Sequence, residues 1–177
     1  MDELSGETCP VCMEKTLTLR ESEQDVPYFG TMFVFSMDCT NPECGYSICD
    51  VEFADEQEPC RYDFLVETAS DLNARVIKGS AATIRIGRIA SIEPGAAPDG
   101  YVSTVEGVLL RLQDVLEQVR DTEDDADQRK KAKNQLKKLL KVLSGHEPIT
   151  ITILDPTGNS AIIHEKAKRQ KLKAGSR

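Results

Sequence analysis

The chain of 177 residues carries a formal charge of −8, from 22 Lys and Arg against 30 Asp and Glu, which argues against a protein that wraps nucleic acid through bulk positive charge. Hydrophobic residues at 40% and charged residues at 29% suit a folded core rather than general disorder, and the length holds one substantial domain, or a small module joined to a medium one, but no large catalytic barrel. Tryptophan is absent and aromatics are 5%, so the core is expected to be largely aliphatic.

The opening MDELSGET is acidic and polar and leads straight into CPVC, unlike a secretory leader, and no later run approaches the roughly 20 apolar residues that span a bilayer. A reducing cytoplasm is the expected setting, where six cysteines favour a metal site over a disulfide framework. Strand-like runs follow at 17–21 (LTLRE), 31–39 (TMFVFSMDC), 46–53 (YSICDVEF), 61–67 (RYDFLVE) and 74–80 (ARVIKGS), then ATIRIGRIASIEP, in which Gly87 interrupts the alternation. ADEQEPCR at 54–61 breaks this pattern and marks a boundary between a module at 1–57 and a domain at 58–165. EPGAAPDG at 93–100 is a turn-rich connector.

The period then becomes helical. Val105, Val108, Leu109, Leu112, Val115, Leu116 and Val119 form one stripe, and Ser103 with Glu106 reads as a capping box for a helix near 104–120. After the acidic joint DTEDDAD at 121–127, Ala132, Leu136, Leu139, Leu140 and Leu143 form a second stripe that can face the first, with Gly145 beyond its end. ITITIL at 149–154, the turn DPTGNS and AII at 161–163 return to strand. Residues 166–177 form a basic tail, expected to be mobile or a short helix.

Charge divides the chain. Residues 1–70 hold 16 acids and three bases, net −13, and residues 71–177 hold 14 acids and 19 bases, net +5. Acids at the start of the second helix and lysines toward its end suit the helix dipole, a structural reading that stands beside that of a binding surface.

Cys9 and Cys12 provide one thiolate pair, and Cys39 and Cys44 a second separated by TNPE. Together they can present four sulfurs tetrahedrally to one structural zinc ion, although the CxxC pair alone also permits redox chemistry. Cys49, inside a strand, is expected to pack as a small apolar side chain, and Cys60 to remain free or auxiliary. His146 and His164 form no HExxH motif or clear metal triad, Asp155 belongs first to a turn, and the phosphate-loop and dinucleotide fingerprints are absent, so no catalytic residue is assigned.

CPVC, VPYFG at 26–30, CGY at 44–46 and DPTGNS at 155–160, with SAATIRIGRIASIEPG and STVEGVLLRL between them, resemble the Zpr-type zinc-finger proteins over about residues 7–164, in the archaeal single-module form. The resemblance implies a mainly β fold: an N-terminal zinc ribbon, then a small double-stranded β-helix-like domain with a helical hairpin inserted at about 103–144. It implies that Cys9, Cys12, Cys39 and Cys44 bind zinc, with a second pair longer than the familiar CxxC. It also implies a non-enzymatic partner of translation elongation factor 1-alpha, in its folding or regulation. In VPYF, Tyr28 and Phe29 either anchor that partner or cover the ribbon as core. The alternative function is a nucleic-acid-associated zinc-ribbon adaptor, in which the basic second helix and tail touch phosphate.

Overall fold

The computed structural model describes residues 2–27, 29–55, 57–95 and 99–172. Four antiparallel strands in spatial order make the N-terminal ribbon: β1 (Asp2–Glu7), β2 (Leu17–Val26), β3 (Gly30–Cys39) and β4 (Ser47–Phe53). The β-branched and aromatic β3 is central to it, pairing with β2 over ten positions from Leu17↔Cys39 to Val26↔Gly30. Strand β1 was not expected. All six of its residues are exposed, so it carries no apolar alternation and joins through backbone pairing with β2, from Asp2↔Glu21 to Glu7↔Leu17.

The second unit is built on two antiparallel sheets. One has the order β12-β5-β10-β7-β8, from β12 (Lys168–Lys171), β5 (Cys60–Val66), β10 (Ile149–Asp155), β7 (Thr83–Ile86) and β8 (Ala90–Ile92); the other has β11-β6-β9, from β11 (Ala161–Ile163), β6 (Arg75–Lys78) and β9 (Tyr101–Thr104). The alternation in ITITILD buries Ile149, Ile151 and Ile153, and a single core cluster joins them to Phe64 and Ile84 of the same sheet and to Val76, Ile77 and Ile162 of the other. The expected mainly β architecture with an inserted helical pair is what the chain adopts.

The insert comprises α1 (Val105–Thr122) and α2 (Ala126–Leu143). Its cap is one residue later than expected: the Thr104 hydroxyl, rather than Ser103, accepts the Gly107 N–H at 3.1 Å. The Asp125 carboxylate caps α2 by accepting the N–H groups of Asp127 and Gln128. Val105, Val108, Leu109, Leu112 and Leu116 are buried as the stripe requires, whereas Val115 and Leu140 are exposed and Val142 takes the inward place on α2. No helix among the described residues is long and apolar enough to cross a membrane.

The tail departs from expectation as well. Lys168–Lys171 pairs with β5 from Lys168↔Asp63 to Lys171↔Cys60, and all four side chains are exposed. Acidic groups on the receiving side explain how so basic a segment adds to the sheet: Lys171 Nζ lies 2.8 Å from Glu58 Oε2, and Lys166 Nζ lies 2.9 Å from the buried Asp71 carboxylate. Residues 173–177 lie outside the described residues.

DPTGNS joins the two units. Asp155 is fully buried and accepts the Thr157 N–H at 2.8 Å, the Thr157 hydroxyl at 2.7 Å and the Ser160 hydroxyl. Ser160 Oγ in turn accepts the Gly79 N–H, and Asn159 Oδ1 accepts the Phe53 N–H at the end of β4. Nearby the Gly100 N–H donates to the Cys49 carbonyl at 2.9 Å, and a Cβ at Gly100 would stand 2.8 Å from both the Asp50 Cα and the Val51 nitrogen. Replacing Gly100 by Ala is therefore expected to destabilise the protein by about 2 kcal/mol or more. Gly145→Ala, at φ +73 with nothing within 4 Å, is expected to cost only about 1 kcal/mol of backbone strain. Thermal unfolding of the two variants side by side checks the order.

Candidate metal centre

Two turns at one end of the ribbon create the centre. In the first, Cys9 N–H donates to the Glu14 carbonyl at 2.8 Å and Met13 N–H to the Cys9 carbonyl at 2.9 Å, which folds CPVCM back on itself. In the second, the Cys44 N–H donates to the Asn41 carbonyl at 3.0 Å and the Cys39 N–H to the Tyr46 carbonyl at 2.8 Å. The residue after the second cysteine of each pair is left-handed, Met13 at φ 62 and Gly45 at φ 62. Glycine adopts that conformation freely, whereas methionine is strained in it.

The four sulfurs converge. All lie within 4.8 Å of one another, and the Cys9–Cys44 and Cys12–Cys39 Sγ pairs are each 3.8 Å apart. A tetrahedron with zinc–sulfur bonds of about 2.3 Å has edges of about 3.8 Å, so the cluster is positioned to chelate one structural Zn2+. Cys9 is fully buried and the other three are half-buried. The longer second loop does not displace its sulfurs, because the added residues bond elsewhere. Thr40 donates its N–H and hydroxyl to the Thr16 carbonyl, and Asn41 Nδ2 donates to Glu14 Oε2 at 2.9 Å across the two turns.

The electrostatics of the bare thiols show why a cation belongs there. Hydrogen bonds from the Thr16 hydroxyl and then from the Glu14 backbone bring the Cys12 thiol down to about 6. At Cys44 the Tyr46 backbone favours the thiolate, yet burial and the facing sulfurs of Cys39, Cys9 and Cys12 outweigh it and push the thiol up to about 12. One cysteine readily gives up its proton and another resists, because successive negative charges crowd one small space; a divalent cation offsets them. Four thiolates also close the coordination sphere, leaving no position for a water to be activated. The sulfurs of both pairs share this one site, whereas a redox dithiol would use the first pair alone.

Thr16 and Met13 stand at the site and were not singled out by sequence reasoning, whereas Asn41, expected to widen the second turn, also bonds across to the first. Thr16 Oγ1 lies 3.1 Å from Cys39 Sγ and 3.5 Å from Cys12 Sγ, bridging the pairs. The signal for Met13 was its position, directly after a CxxC and matching Gly45 after the second pair. Cys60 is buried, 3.6 Å from the Ser160 carbonyl, and burial raises its thiol to about 11; the Cys49 thiol, in β4, is likewise raised by burial. His146 Nδ1 contacts Ser144 Oγ at the exposed end of α2, His164 packs on the Phe64 ring at 5.0 Å between centroids, and Asp155 is enclosed in its turn. Each of the three is engaged in a different part of the fold. Phe29 is half-buried, stacked on Phe53 at 5.5 Å and tilted against Tyr62 at 6.4 Å, while Tyr28 lies outside the described residues.

A closed four-cysteine ribbon joined to a double-stranded β-helix with a helical insert defines a metal-stabilised zinc-ribbon protein. Residues 70–175 match the ZPR1 jelly-roll domain. The chain is similar to an uncharacterised ZPR1-like protein of Pyrococcus horikoshii, 39% identical over 169 residues covering 93% of this chain and 75% of that one. It is also similar to an uncharacterised ZPR1-like protein of Methanocaldococcus jannaschii, 34% identical over 174 residues covering 97% of this chain and 87% of that one. The zinc finger chaperone zpr1 of Schizosaccharomyces pombe is 32% identical over 164 residues, 86% of this chain but 34% of the yeast protein. The chain belongs to the ZPR1 family of zinc-finger proteins.

The two left-handed positions yield a pair of substitutions with opposite signs. Met13→Gly is expected to stabilise the zinc-loaded ribbon by about 0.5–1 kcal/mol, and Gly45→Ala to destabilise it by about 1 kcal/mol. Thermal melting monitored by ribbon amide NMR signals measures both. Cys39→Ser is expected to abolish stoichiometric zinc retention in elemental analysis of the purified protein; full retention would contradict the four-sulfur site.

Proposed function

We propose that this chain is a cytoplasmic, non-enzymatic zinc-binding protein that engages translation elongation factor 1-alpha in its folding or regulation. The observation that carries this reading is the match of 86% of the chain to a protein named as a zinc finger chaperone, which spans both the ribbon and the β domain. The closed zinc site supports it, since a metal without an open position can hold a surface but cannot activate water.

Tyr28 and Phe29 are the proposed anchor. Phe29 sits at the β2–β3 turn and, with Pro27, Tyr62, His164 and Arg169, lines a cavity of about 380 Å³. One side of its ring stacks on Phe53, which ties the anchor to the seam between ribbon and β domain. A partner side chain entering that cavity would meet apolar walls and the Arg169 guanidinium, 5.8 Å from the Phe29 ring centre.

A second reading has one observation in its favour. Arg88, Lys130, Lys131 and Lys138 line a groove of about 380 Å³ along α2, a surface able to meet phosphate, although Asp127 also borders it. A nucleic-acid adaptor would show binding that weakens linearly with the logarithm of salt concentration.

Tagged protein recovered from its native cytoplasm after nuclease treatment separates the readings. Elongation factor 1-alpha is expected to be enriched by the wild type, and Tyr28→Ala is expected to lower its recovery by about tenfold with zinc content and folding retained. Absence of the factor after crosslinking, or loss of all partners with the nuclease, would overturn the proposal.

A further inference from the structure

The ribbon sheet has two faces, and among the described residues only one is covered. Directly paired residues of antiparallel strands project to the same side. On the covered side, Met32 pairs with Phe53 and Val34 with Val51; Met32, Phe53 and Val51 are buried in the core shared with the β domain, and Val34 packs against it. The opposite side carries Phe33, Phe35 and Met37 along β3. Beside Met37 stand Leu19 on β2 and Ile48 on β4, and Leu4 on β1 continues that row through its pairing with Leu19. None of these six belongs to the core cluster or packs against it. Phe33 and Phe35 stack on each other at 6.2 Å, Leu4 is 65% exposed, and Leu4, Leu19, Phe35 and Met37 line a shallow cavity of about 190 Å³.

The same pairing register places acids around this apolar strip. Glu21 lies opposite Phe35, Glu23 and Glu52 flank Phe33 on its two sides, and Asp2 pairs with Glu21 at the sheet edge. All four are exposed, and among the described residues none of them is in an ion pair. Arg20, which also lines that shallow cavity, is held by Glu3 and Asp38 at 2.9 Å each. The result is an apolar strip between unneutralised carboxylates. Phosphate-bearing surfaces are repelled by such a rim, whereas Lys and Arg side chains are drawn to it.

We propose that this outer ribbon face is a docking surface for a cationic amphipathic segment of a protein partner. Apolar side chains of that segment cover Phe33, Phe35, Met37 and Leu19, and its Lys or Arg residues meet Glu21, Glu23 and Glu52. The complementary charges steer and orient the encounter, and the desolvated aromatic centre supplies most of the affinity. The surface is separate from the Phe29 cavity and needs no particular identity for the partner.

The test uses the zinc-loaded full chain and fluorescence anisotropy of labelled peptides of about five helical turns, about 18 residues. One peptide places Leu on one face and Lys on the other, a second replaces Leu by Ser, and a third replaces Lys by Glu. The Leu/Lys peptide is expected to bind at least about tenfold more tightly than either of the others. Glu21→Lys combined with Glu23→Lys is expected to weaken it by about tenfold and flatten its salt dependence. Phe35→Ser, with zinc content and melting checked, is expected to weaken it similarly; if that variant does not fold, the double glutamate variant, at exposed positions, decides. Charge reversal at Asp124 and Asp127, on the helical hairpin, is expected to change binding by less than about twofold. Equal weakening by the hairpin and ribbon reversals would reduce the effect to generic attraction and overturn the proposal. So would equal binding of the Leu/Lys and Ser/Lys peptides, or stronger association with phosphatidylserine vesicles than with the Leu/Lys peptide.

Discussion

The constraint on which the ribbon depends is the convergence of four sulfurs from two turns that are 27 to 35 residues apart in sequence. Near the turns the sheet has almost no core: Cys9, Leu17 and Thr18 are buried there, while β1 is wholly exposed. Apolar burial alone is too small to hold such a module, and a metal crosslink supplies what the core lacks. The crosslink also sets register. Cys39 lies opposite Leu17, and from that pair the ladder runs to the hairpin at Val26 and Gly30, which aligns Met32 with Phe53 and Val34 with Val51. A slip of one residue would turn Phe33 and Phe35 inward and expose Met32.

The far end of the same sheet is fixed by contacts of a different kind. Phe53 reaches Asn159, Cys49 receives the Gly100 N–H, and the Asp50 carboxylate accepts the Ser80 N–H at 3.2 Å. Lys78, fully buried, donates to the Asp99 carbonyl at 2.7 Å beside this junction, where burial lowers its pKa while Asp99, Asp50 and Asp155 oppose the shift. The ribbon thus has a four-sulfur metal site at one end, and at the other a polar seam together with Met32, Val51 and Phe53 in the core shared with the β domain. Among the described residues one face of the sheet packs on that core and the other is left open, which is how a small module can present a sheet surface.

Where burial wrote a period into the sequence, the fold was legible. Ile149, Ile151 and Ile153 alternate because β10 is central in its sheet, and the Val105 to Leu116 stripe repeats because α1 packs on one side. Strands β1 and β12 left no such trace: their residues are exposed, and backbone pairing or ion pairs hold them. The cap shifted from Ser103 to Thr104 because two hydroxyl residues stand side by side, and only the turn geometry chooses between them. The cysteines were legible as thiolates in pairs. Asn41 was legible as part of a wider turn, but its bond to Glu14, like the place of Thr16 between the sulfurs, was not, since an amide and a hydroxyl acquire such roles only once the turns have been brought together.

Hydrogen exchange of the full chain, before and after stripping the metal with a chelator, tests the dependence of the ribbon on its four sulfurs most directly. Amides of β2 and β3 near the turns, from Leu17 to Glu21 and from Phe35 to Cys39, are expected to lose protection on metal removal, while those of β5, β7 and β10 keep theirs. Unchanged protection across β2 and β3 in the metal-free protein would contradict the account, as would loss of protection spread evenly over both units.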